Sequence, residues 1–159
     1  EGKDSASQPI RELKAYVSGE VIPMEDIPDQ VFASRALGDG VAIKPEDGVL
    51  RAPADAMVAV VMEESLHACG LVLDNGMELL HIGLDTVEMK GDGFRAFVKP
   101  GDRVRAGEEL IAFDREKIAG AGHSDMVIMV LTNPGNSGAI SWQTGRRVRV
   151  LADTVARID

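Results

Sequence analysis

The sequence predicts an all-β domain, an antiparallel β-sandwich or barrel of many short strands with one or two short helical turns. Three observations carry this. Apolar segments of strand length recur at short intervals along the chain. Gly, Pro, Asn and Asp separate them, and 17 glycines and 7 prolines supply turns throughout. Helical patterning is confined to one short stretch. With hydrophobic residues at 45% but aromatics at only 4%, the core must be built from Val, Ile, Leu, Met and Ala.

Residues 1–15, "EGKDSASQPIRELKA", are polar and lack a stable period, so they read as a linker or tag remnant, and the domain is expected over 16–159. "GEVIPM" opens the strand series. Pro23 and Pro28 then forbid a long element through "IPDQVFAS". "DGVAIKP", "GVLRAPA", "AMVAVVM", "CGLVLDNG", "MELLHIG", "DRVRAGEELIAFD" and "DMVIMVLTN" follow, each strand-sized. "DNG" at 74–76 signals a tight hairpin, because Asn-Gly accepts positive φ. The one helix expected is "DREKIAG", with Asp114 as N-cap and Gly120 as stop. The "GDG" runs at 38–40 and 91–93 are turns; no phosphate-cradling G-x-x-x-x-G-K-[ST] is present.

The net charge of −9 argues against nucleic acid, whose phosphates need Lys and Arg. It leaves room for a basic protein partner. The single Cys69 cannot form an internal disulfide, which fits a reducing cytoplasm. The longest apolar run, Met57–Met62, is far short of the roughly 20 residues that span a bilayer, so no direct membrane insertion is expected.

Chemistry concentrates on two of the three histidines. His81 ends the apolar run "MELLHIG" and is followed by Gly83, which admits a close approach to the ring, and by Asp85 and Thr86, which could orient it. A packed, satisfied imidazole is the plain alternative. His67 lies almost symmetrically across the hairpin, so the two can become cross-strand neighbours. Only four residues separate Gly76 from His81, and a one-residue shift would turn His81 to the other face. Such a pair suits a metal or a phosphoryl group. The metal reading would recruit Asp85 or Cys69, but no His-x-His pair exists and His123 cannot be placed. His123-Ser124-Asp125 cannot form a relay, because successive strand residues point to alternate faces. Met89-Lys90 has the look of a biotin-carrier turn, but Gly91 and the "DGF" that follows break that pattern. The remaining reading is a nucleophilic histidine: one ring nitrogen attacks phosphorus while the other keeps its proton and donates it to a carbonyl or carboxylate.

In combination, "SGEVIPMEDIPDQVFASRALGDGVAIKP" (18–45), "HACGLVLDNG" (67–76), "HIGLDTVEMKGDGF" (81–94), "GDRVRAGEELIAFD" (101–114) and "VIMVLTN" (127–133) are specific. Through them the chain resembles the glucose-family enzyme IIA domains of the bacterial phosphoenolpyruvate-dependent sugar phosphotransferase system over roughly residues 16–158. The resemblance implies a phosphotransferase component that takes a phosphoryl group from the phosphocarrier HPr and passes it to a cysteine of a permease IIB domain. It implies His81 as the phosphorylated nucleophile, His67 as the phosphoryl stabiliser and Ser65 as the hydroxyl that bonds the pair. Asp29 and Asp85 would flank the site, and Val31, Phe32 and Val87 would belong to the apolar rim where partners dock. No cofactor is expected, and no metal beyond an accessory zinc between His67 and His81. The resemblance implies a cytoplasmic location, free or tethered through a fused permease. Two other functions fit the same residues: a non-catalytic regulatory binding module, and a zinc-dependent peptidase-like site.

Overall fold

A computed structural model describes residues 12–73, 76–131 and 140–158, with backbone alone for 76–79. In chain order the strands are β1 (Glu12–Lys14), β2 (Gly19–Pro23), β3 (Asp39–Pro45), β4 (Val49–Arg51), β5 (Ala56–Val61), β6 (Ala68–Leu73) and β7 (Gly76–Ile82). Then come β8 (Phe94–Ala96), β9 (Arg103–Val104), β10 (Glu109–Phe113), β11 (Val127–Leu131), β12 (Ile140–Trp142), β13 (Arg147–Val148) and β14 (Thr154–Ile158). Eight strands form one sheet in the order β13-β2-β3-β11-β7-β6-β5-β9; β4-β10-β8 and β1-β14-β12 form two smaller sheets. The strands pair antiparallel throughout.

The central strands of the large sheet are apolar on both faces, and that doubling positions the site. On β3 and β11, Val41, Ile43, Val127, Met129 and Leu131 enter the main core. Their alternates Ala42, Ile128 and Val130 enter a second cluster on the opposite face, closed by Met24, Ile27 and Phe32. A strand buried on both sides reads as a continuous apolar run, which is what "VIMVL" is. The cover over the second cluster is the segment between β2 and β3. It contains a 3₁₀ turn at Met24–Asp26 and a short helix at Gln30–Ala33, N-capped by Asp29.

Glu12–Lys14, within the segment expected as linker or tag remnant, form strand β1. β1 pairs with β14, Leu13 is fully buried, and Lys14 N–H donates to Pro53 O at 2.7 Å. The partner strand lies at the far end of the sequence, so nothing local announced this pairing. Residues 1–11 of the expected linker lie outside the described residues. The segment "DRVRAGEELIAFD" is two strands: β9 extends the large sheet beside β5, and β10 is central to a small one. The expected helix is Arg115–Gly120, with the Asp114 carboxylate accepting from Glu116 and Lys117 N–H at 3.0 and 3.1 Å. Gly120 is its last residue; the left-handed turn falls at Gly122 (φ 86°).

Candidate functional site

Leu80 and Ile82 on β7 are fully buried in the main core, and this fixes the parity of the strand. His81 therefore takes the opposite face, opposite Ile128 of β11 on one side and Ala68 of β6 on the other. The β6–β7 ladder runs without a shift from Leu73↔Gly76 to Ala68↔His81. Asp74 and Asn75 of the expected "DNG" turn lie outside the described residues. The true partner of His81 is Ala68, so His67 stands diagonal to it, not directly across. Leu66, in a left-handed conformation (φ 54°), turns the chain just before β6, and the carbonyl of His67 accepts from Ile82 N–H at 2.7 Å.

The two rings meet edge to face, with centroids 4.7 Å apart and planes at 88°. His81 Nδ1 lies 2.8 Å from the carbonyl oxygen of Gly83. A carbonyl only accepts, so Nδ1 carries the proton and Nε2 keeps a free lone pair. His67 Nδ1 lies 2.7 Å from Ser65 Oγ. When that hydroxyl donates to Nδ1, the proton of His67 resides on Nε2 and is available to an incoming oxygen. Burial drives the His67 pKa down to about 4, with the neighbouring His81 adding to the effect. His81 is also lowered by burial, opposed by its bond to Gly83 and by the nearby carboxylates of Asp29 and Asp85. Both imidazoles are therefore neutral near pH 7, the form a nucleophile requires.

Gly83 is more than a gap beside the ring: its carbonyl sets the tautomer of His81. Its φ is +76°, and a Cβ there would stand 2.4 Å from Thr86 Cγ2 and 2.7 Å from the Ser124 carbonyl oxygen. Thr86 is fully buried, and its hydroxyl donates to the Ile82 carbonyl. The β7 exit is thus tied down at Ile82 and Gly83, the two residues that follow His81.

Around the pair, Val31 and Val87 are half exposed at 52% and 51%. Asp29 caps the Gln30–Ala33 helix by accepting from Val31 N–H at 2.9 Å, and Asp85 is exposed in a left-handed conformation. Phe32 differs from expectation. It is buried, not an exposed rim residue, and its ring meets His81 edge-on at 5.2 Å. Its aromatic body is driven into the second cluster, where it shields one side of the imidazole. A cleft opens beside Ser65, lined also by Met62, Glu63, Glu64, Val87 and Lys90. Met62, Glu63 and Glu64 were not singled out from sequence, and Lys90 was considered only as part of a biotin-carrier-like turn. No local pattern marks them, because it is the fold that joins the β5–β6 connection to the 3₁₀ turn Thr86–Met89.

The other candidates fall away from this centre. Cys69 pairs with Leu80 and faces the main core, away from His81. Among the described residues, no three His, Cys, Asp or Glu side chains gather to hold a metal, so the peptidase-like site lacks its ligand set. Asp125 forms an ion pair with Arg115 at 3.0 Å, and Ser124 Oγ accepts from Met126 N–H at 3.2 Å. Met89 closes the 3₁₀ turn and Lys90 caps it, so the pair is no hairpin tip. Among the described residues no helix is long and apolar enough to cross a membrane.

Comparison with known proteins bears on this geometry. The family model described as "phosphoenolpyruvate-dependent sugar phosphotransferase system, EIIA 1" matches residues 11–137. Among solved structures, the glucose permease IIA from Mycoplasma capricolum superposes with a TM-score of 0.82 at 32% identity, covering 95% of this chain and 96% of that one.

Proposed function

Because the chain belongs to the enzyme IIA family of the phosphoenolpyruvate-dependent sugar phosphotransferase system, we propose that it carries the phosphoryl group on His81, accepting it from HPr and passing it to the IIB cysteine of a sugar permease. The observation that supports this most is the bond from His81 Nδ1–H to the Gly83 carbonyl, which leaves Nε2 as the free nucleophile. Nε2 attacks phosphorus as the donor's P–N bond breaks, and the electron pair of that bond returns to the donor ring. Positive charge spreads into the His81 ring as the new N–P bond forms. The Gly83 carbonyl, Asp29 and Asp85 all favour that charge, the same three influences that hold the ring's pKa up against burial. Release to a thiolate reverses the step: sulfur bonds phosphorus and neutral imidazole leaves.

His67 acts by position. Its ring stands against that of His81, and with the Ser65 hydroxyl donating to Nδ1 its proton sits on Nε2, where it donates to a phosphoryl oxygen. Val31 and Val87 present apolar surface to partners beside the acidic Asp29 and Asp85, a mixture suited to a transient interface. The transfer itself needs no cofactor, and its setting is the cytoplasm, free or tethered through a fused permease.

Intact mass after incubation with phosphoenolpyruvate, enzyme I and HPr tests the reading. Wild type should gain one acid-labile phosphoryl group, His81→Ala none, and His67→Ala one, more slowly. An unmodified wild type, or a modified His81→Ala, refutes it.

A further inference from the structure

The segment between β2 and β3 carries Asp29, Val31 and Phe32 to the site, and its two ends are held by one side chain. Arg35 Nη2 donates to Glu25 Oε1 at 2.8 Å, and its Nε donates to Asp39 Oδ1 at 3.0 Å. Glu25 lies in the 3₁₀ turn that starts the segment; Asp39 begins β3. The backbone of Arg35 also belongs to the arrangement. Its N–H donates to Phe32 O at 3.0 Å, and its carbonyl accepts from Gly38 N–H at 3.1 Å. Its φ of 63° is a conformation that a long side chain adopts only when the surroundings impose it. Asp39 is itself held: Oδ1 accepts from Gly40 N–H at 2.9 Å, and Oδ2 accepts from Trp142 Nε1 at 3.0 Å, which ties the segment to β12.

We propose that Arg35 is a positioning residue for phosphoryl transfer, a two-ended clamp that sets how firmly the Gln30–Ala33 helix presses Phe32 against His81. The inference rests on the carrier reading for its kinetic consequence and on geometry alone for its structural one. A planar fork reaching two carboxylates defines a direction; a lysine would reach one of them as a point charge. The exposed ion pairs add little to global stability. Their effect is on the pose of a helix only one turn long, which cannot hold its own orientation. Loosening it lets water reach the buried face of His81, and burial is the main influence lowering that ring's pKa.

Three single variants and one double variant test this by NMR titration of the His81 ring, alongside steady-state transfer from phospho-HPr. Arg35→Gly keeps the left-handed backbone at no steric cost and removes the fork. It should raise the His81 pKa toward the ordinary histidine value and raise KM for phospho-HPr by about fivefold, the scale that exposed ion pairs deliver. Arg35→Lys should fall between Arg35→Gly and wild type. Phe32→Ala should raise the pKa, and adding Arg35→Gly to it should change nothing further, because both act through the same ring. A wild-type titration curve in Arg35→Gly, or an additive effect in the double variant, overturns the proposal. The titration needs no donor protein, so a wild type that accepts no phosphoryl group would refute the carrier reading while the clamp is still decided.

Discussion

Replacing Gly83 with alanine strikes the tautomer of His81 without touching either histidine. The backbone at Gly83 is left-handed (φ +76°), which costs an L-residue roughly 1–2 kcal/mol. The new methyl meets Thr86 Cγ2 at 2.4 Å and the Ser124 carbonyl oxygen at 2.7 Å. Thr86 cannot swing away freely, because it is fully buried and its hydroxyl is bonded to Ile82; losing that bond costs about 1 kcal/mol. Ser124 O accepts from Leu84 N–H at 3.1 Å, so moving it disturbs a second bond. Together these give a loss of about 2–4 kcal/mol, or a Tm lower by on the order of 10 °C for a domain this size. The carbonyl that orients Nδ1 shifts with the backbone, so phosphoryl uptake should fall by about tenfold or more in protein that is still folded. Urea denaturation gives the stability, and rapid-quench intact mass well below the new Tm gives the rate. A Gly83→Ala protein with the Tm and uptake rate of wild type would refute the claim that this turn holds the nucleophile.

Two further outcomes follow from the paired rings. His67 titrates at about 4 in the fold, against 6.5 ordinarily. The unfolded chain therefore takes up its proton first, and the stability of the neutral buried form, complete above pH 6.5, is lost as pH falls toward 4. The loss is on the order of 3 kcal/mol, and the His81 shift acts in the same direction. Urea midpoints at pH 7 and pH 4.5 should fall less steeply in His67→Gln than in wild type; equal slopes would contradict the assignment. Ser65→Ala removes the hydroxyl at 2.7 Å from His67 Nδ1 and should slow phosphoryl uptake about fivefold, the equivalent of one hydrogen bond. An unchanged rate would mean that Ser65 does not set the His67 tautomer.

How much of this was legible depends on how far apart the cooperating residues lie. The β5, β6, β7 and β11 segments stand out because apolar residues dominate five to seven consecutive positions, and β3 because turn residues bound its apolar centre. Asp114 was readable as a cap because its partners are the next two amides. The short helix at Gln30–Ala33 was not, since Asp29 sits directly after Pro28 and the helix is a single turn. β1 escaped notice because its partner strand, β14, lies some 140 residues away. The break inside "DRVRAGEELIAFD" was hidden for a similar reason: β9 and β10 answer to different neighbours in different sheets.

By itself the sequence determined the class of the fold, the pairing of two histidine-bearing segments around a hairpin, and the presence of residues able to run phosphoryl chemistry. These are properties of spacing and side-chain type. Tertiary structure decided the rest. The burial of Leu80 and Ile82 chose the face of His81. The sharp exit at Gly83 turned a carbonyl back onto Nδ1, and the cover segment drove Phe32 against the ring instead of into solvent. Each is a choice between alternatives nearly equal in local energy. It is settled only when distant elements pack and the cost of a misplaced buried group falls on the whole core.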